Sequence, residues 1–130
     1  VDWFDVVAGR LRYLCVESFG RLERETAFAR ALLQAIRPGA IVFSVIDYPR
    51  RRAVAQPARV LGIPVVAAPH GEMGSHHLPI HCYNYCIPVD YCLAYGPGFA
   101  SYIEHIKPHY PGLKMTCESV GSPRLAMSPR

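Results

Sequence analysis

The sequence predicts an α/β domain in which a parallel sheet is flanked by helices. Three observations lead there. Short, nearly continuous apolar runs stand at 40–47 (AIVFSVID, rich in β-branched residues), 63–69 (IPVVAAP) and 89–96 (VDYCLAYG). That is the pattern of strands buried on both faces, as parallel sheets require. Stretches of helical periodicity separate two of the strand pairs, and proline or glycine closes each helix, so the connections are short.

Taken in order, residues 1–35 read as preceding helices. The clearest of these spans 18–37, where Leu22, Ala29, Leu33 and Ile36 fall near one helical face with Phe28 and Leu32 beside it. Arg21, Glu25 and Arg30 lie off that face, which makes the helix amphipathic, and Pro38 with Gly39 stops it. The run 40–47 is too short for a helix and reads as the first strand. From 50 to 61 a helix returns the chain, with Pro57 either kinking it or opening a second helix, and Gly62 ends it. The second strand, 63–69, completes a βαβ unit with a right-handed crossover. Residues 70–88 break the rhythm with Gly71, Gly74, Pro79 and Pro88, as a long loop containing one short helix. A third strand at 89–96, a helix at 97–107 between Pro97 and Pro108, and a fourth strand at 114–121 (KMTCESVG) finish the count at four strands and three helices.

The bulk composition agrees. With 130 residues, of which 51% are hydrophobic and 18% charged, the chain suits one globular domain with a packed core. The first residue is Val1 and the last are Pro129 and Arg130 just after a turn-like segment, so the chain is expected to be a fragment. No run approaches the roughly 18–20 apolar residues of a membrane span, and the start lacks the order of a signal peptide, which points to a cytoplasmic protein. Cys15, Cys82, Cys86, Cys92 and Cys117 are odd in number, and Cys92 and Cys117 sit in strand-like runs; reduced core thiols fit this better than a disulfide framework. The net charge of +4 has one dense cluster, Arg50 to Arg52, while Tyr91, Tyr95 and Phe99 belong to apolar-periodic segments. That weighs against a nucleic-acid surface and favours a solvated helix start that can attract an anionic phosphate group.

Ligands of open parallel sheets bind at the carboxyl ends of the strands, where loops converge and helix N-termini present partial positive charge. The residues placed there are Asp47 and Tyr48, then His70, Gly71 and Glu72, then Gly96 and Pro97, and finally Gly121 to Arg124. His70 follows its strand at once, and Gly71 lets the backbone turn sharply. With an ordinary pKa of about 6.5, a histidine so placed can take a hydroxyl proton as general base; the plainer reading is a histidine hydrogen-bonded in a loop. Glu72 can orient the imidazole or contact an acceptor hydroxyl, or stand as an exposed loop carboxylate. Arg124 can pair with a phosphate or bond carbonyls at a turn. A competing constellation is His76, His77, His81, Cys82 and Cys86, which offers ligands enough for tetrahedral zinc. Pro79 interrupts any helix that would align its histidines, and no paired CxxC or HExxH is present, so no metal is expected.

Four signals occur in order: the apolar strand at 40–47, GIPVVAAPHG at 62–71, VDYCLAYG at 89–96 and VGSPRL at 120–125. Over residues 36–125 this resembles the two-Rossmann-domain (GT-B type) glycosyltransferases of surface-polysaccharide and teichoic-acid glycerophosphotransferase type. The resemblance implies a Rossmann-like domain over 1–130, about half of a GT-B architecture, with 120–130 opening the interdomain hinge. It implies His70 as base or acceptor-binding group in the cleft and Ser122, Pro123 and Arg124 as the turn toward the second domain; Gly71, Asp47, Ser122 and Arg124 are expected as substrate-binding positions because they follow the strand ends. Pro69 stands where the family usually has Gln or Trp. The implied reaction transfers a sugar or glycerophosphate from a nucleotide-activated donor to an acceptor hydroxyl. The donor is a substrate, and no bound cofactor is implied. The implied partners are a nucleotide-sugar donor, a carbohydrate or lipid-linked acceptor compatible with peripheral membrane association, and a missing second domain. Without that domain the isolated chain is expected to be inactive. The rival readings are a sugar-nucleotide epimerase of the same architecture and a non-catalytic Rossmann-like binding module, with or without zinc.

Overall fold

The computed structural model describes residues 2–44, 46, 49–68 and 89–121. The chain opens with a continuous helical run. Helix α1 (Trp3–Arg12) is followed by a π-helical segment (Tyr13–Ser18) and by α2 (Phe19–Ile36). Asp2 starts α1 because its carboxylate accepts the Phe4 N–H at 2.9 Å, satisfying one of the orphan donors of the first turn. No residue of α1 is buried. In α2 only Ala29 and Leu33 are buried, while Phe28, Leu32 and Ile36 remain exposed. The apolar face is narrower than the periodicity of 18–37 suggests, because α2 packs mainly on another helix and not on the sheet. It ends at Arg37, a non-glycine residue in the left-handed region (φ 49°), whose N–H reaches the Leu33 carbonyl at 2.9 Å.

Strand β1 (Ile41–Phe43), helix α3 (Pro49–Val60) and strand β2 (Val65–Ala67) form the first crossover unit, and β3 (Tyr91–Ala94), helix α4 (Pro97–Ile106) and β4 (Thr116–Ser119) form the second. The sheet order is β1-β2-β3-β4, and every pairing is parallel. The parallel α/β architecture therefore agrees with the sequence. The strands are shorter than the apolar runs that announce them. At 63–69 the reason is visible: Pro64 has no N–H to donate and pairs only through its carbonyl, which accepts the Ile41 N–H at 2.9 Å, so the strand begins at Val65, whose N–H is taken at 2.9 Å by the Asp90 carboxylate.

Register partners share a face, so Ile41, Phe43, Val65, Ala67, Cys92 and Ala94 point to one side. Val65, Ala67 and Cys92 join Ala55 and Ala58 of α3 and Ile103 and Ile106 of α4 in a single buried cluster, which places both helices on that side. The other face carries Val42, Val66, Tyr91 and Leu93, with Val42 62% and Tyr91 45% exposed. The expectation of strands buried on both faces is thus corrected: among the described residues the helices cover one face. Apolar composition cannot separate one-sided from two-sided burial in strands this short. β4 is an edge strand with Thr116, Glu118 and Ser119 exposed.

Pro57 lies inside α3 and neither splits it nor opens a second helix; it is buried against the core. Gly62 (φ 72°) turns the chain out of α3, with the Gly62 N–H on the Arg59 carbonyl at 3.0 Å and the Ile63 N–H on the Ala58 carbonyl at 2.9 Å. These two bonds make a Schellman cap. Helix α4 has Pro97 in its first turn and passes into a 3₁₀ turn, Lys107–His109.

Candidate functional site

The parallel ladder gives the sheet one carboxyl edge, formed by Phe43, Ala67, Ala94 and Ser119. The Ala68 N–H, two residues before His70 in the chain, binds the Phe43 carbonyl at 2.7 Å, and the Val120 N–H, two before Ser122, binds the Ala94 carbonyl at 2.9 Å. Ile46, which precedes Asp47, is fully buried. The chain thus leaves β1, β2 and β4 from one edge. Gly121 (φ 75°) follows β4 in the left-handed backbone that favours glycine, and Gly96 with Pro97 leads from β3 into α4. Of the site residues read from sequence, Asp47, His70, Gly71, Glu72, Ser122 and Arg124 lie outside the described residues, as do Tyr48, Pro123, His76, His77, His81, Cys82 and Cys86.

The described part of the same edge holds a feature that sequence reasoning missed. The start of α3 meets the π segment and the first turns of α2, and between them opens a cleft of about 440 Å³ lined by Tyr13, Glu17, Arg21, Arg24, Glu25 and Arg50. Glu25 holds two guanidinium groups, accepting from Arg50 Nε at 3.0 Å and from Arg21 Nε at 3.4 Å. Arg52 turns back and donates to the Ile46 carbonyl at 3.2 Å, tying the start of α3 to the end of the β1 connection. Three guanidinium groups against two carboxylates, beside the N-terminus of a 12-residue helix, give the cleft a positive bias. The exposed ion pairs orient Arg21 and Arg50 without adding much stability. The sequence marks Arg50 to Arg52 as an attractor for phosphate. By helical spacing Arg21 and Glu25 fall off the apolar face, and that spacing does not report that the start of α3, 25 residues after Glu25, arrives there.

Among the described residues no group of three or more His, Cys, Asp or Glu side chains could hold a metal ion, and no helix is long and apolar enough to cross a membrane. Comparison with protein-family models, with curated proteins and with solved structures finds no match.

Proposed function

We propose that the chain is the acceptor-side, Rossmann-like part of a GT-B type transferase that moves a sugar or glycerophosphate from a nucleotide-activated donor to an acceptor hydroxyl in surface-polysaccharide synthesis. The observation that supports this most is the parallel sheet itself. β1, β2 and β4 run in one direction, and the sequence positions 47, 70–72 and 122–124 follow their carboxyl ends, where α/β sheets bind ligands. The reading assigns His70 the acceptor proton. As the hydroxyl oxygen attacks the donor, the proton passes to the imidazole and the nucleotide leaves with the bonding pair. Glu72 orients that imidazole. Asp47, Gly71, Ser122 and Arg124 contact substrate, while the second domain contributes most of the donor contacts.

The test is kinetic and uses the full-length protein. His70→Ala should lower turnover by roughly 10²- to 10⁴-fold, the range of general base catalysis, with donor binding little changed. Glu72→Ala should cost less. Wild-type turnover in His70→Ala removes the base role, and isomerisation of the donor sugar without transfer replaces the reading with the epimerase.

A further inference from the structure

We propose that Cys92 and Cys117 are a thiol–disulfide exchange pair, in which a half-buried attacking thiol and a buried resolving thiol react with a low-molecular-weight disulfide of the glutathione class and close a bond between β3 and β4. Both are thiols here, and the inference is independent of the transferase reading.

The ladder puts them opposite each other. Cys92 and Cys117 are register partners in the parallel β3–β4 pair, so both side chains leave the same face of the sheet. Neighbouring strands lie roughly 4.8 Å apart, inside the ~4.4–6.8 Å window of Cα separations that a disulfide spans. A hydrogen bond from Cys92 is the largest influence on Cys117. That bond holds the Cys117 thiol below its ordinary range. Burial, Glu104 and Glu118 push the other way, and Lys107 assists. A lowered thiol presents more thiolate, the attacking species.

Access fixes the order of events. Cys92 is fully buried within the core, whereas Cys117 is half-buried on the edge strand. The Cys117 thiolate therefore attacks one sulfur of the small disulfide, whose S–S bond breaks, and the departing thiolate takes up a proton. The Cys92 sulfur then attacks the Cys117 sulfur of the mixed disulfide and releases the second small thiol, which receives the Cys92 proton. The protein loses two protons and two electrons, and the small disulfide takes them up to become two thiols. The new bond fixes the edge strand that leads to Gly121 against a central strand.

The pair can be isolated in the 130-residue chain by replacing Cys15, Cys82 and Cys86 with Ser. The native protein is incubated with oxidised glutathione, quenched in acid, alkylated in denaturant and weighed intact, with circular dichroism reporting the fold. The expected result is loss of both alkylatable thiols, no retained glutathionyl group, and a Cys92–Cys117 linked peptide that reductant removes. Cys92→Ala in this background should stop with one glutathionyl group on Cys117. Cys117→Ala, which alters a less buried site, should slow reaction with the disulfide at least about tenfold. A stable glutathionyl adduct on Cys117 beside an alkylatable Cys92 overturns the proposal. So do thiols that stay reduced in the native chain and cross-link only after unfolding.

Discussion

At the residue scale, Asp90 shows how one side chain determines where a ladder starts. Its carboxylate accepts the Val65 N–H at 2.9 Å and Arg59 Nε at 3.1 Å, its own N–H goes to the Val65 carbonyl, and its carbonyl takes the Thr116 N–H, the last two each at 2.8 Å. Asp90 thereby joins β2, β3 and β4 at the amino edge. Val65 is fully buried, so removing the carboxylate leaves a donor without a partner in the core. Hydrogen bonds to charged groups contribute about 1.5–3 kcal/mol, and the half-exposed Arg59 pair adds at most about 1 kcal/mol. Asp90→Ala should therefore cost about 2–3 kcal/mol in urea unfolding, and Asp90→Asn, which keeps an acceptor, about half of that. Equal stability in all three proteins would show that the Val65 N–H finds another partner. None of this was legible in the sequence, where Asp90 is one polar residue in a strand-like run.

At the element scale, the signals that proved legible were local and physical. Proline and glycine placed the helix ends well: Gly62 closes α3, Pro97 opens α4 and Pro38 follows α2 within two residues. Strand lengths were not legible, because apolar composition extends past the residues that can pair through both N–H and carbonyl, as Pro64 illustrates. Pro57 left two alternatives open, a kink or a second helix; packing decided for one helix by burying the ring. The Schellman cap at Gly62 is open to a direct measurement. An added Cβ there meets nothing within 4 Å, so Gly62→Ala pays only for the left-handed backbone, about 1–2 kcal/mol. The reduced freedom of the unfolded chain returns about 0.4–1 kcal/mol, leaving a net loss of about 1 kcal/mol. Gly39 also has open space around it and no left-handed φ, so Gly39→Ala should be neutral or stabilising by up to about 1 kcal/mol. If both substitutions shift the unfolding midpoint alike, backbone conformation is not what selects Gly62.

At the scale of the whole molecule, the alternation of apolar runs and helices announced a parallel sheet, but neither the strand order nor the coverage of its faces follows from a list of runs. The candidate site divides the same way. Positions just after strands can be named from sequence, whereas the Arg21–Glu25–Arg50 network needs two helices distant in sequence to meet. The distribution of burial gives the molecule an uneven stability. The core cluster gathers around β2, β3, α3 and α4, while α1 buries nothing and its first turn presents Trp3 and Phe4, each 77% exposed. α1 is the unburied end of the continuous helical run, and a helix end without tertiary support frays at little cost. Local opening should then cost little in α1 and approach the global unfolding free energy at Val65, Ala67 and Cys92. In native-state hydrogen exchange on the 130-residue chain, α1 amides should exchange nearly as fast as unfolded peptide, α2 should slow from Phe19 toward Leu33, and the β2 and β3 amides should be slowest. Protection of α1 equal to that of β2 would mean that its apolar side chains are covered in solution. A protein-concentration series would then separate coverage by another copy, which strengthens with concentration, from coverage within the chain, which does not.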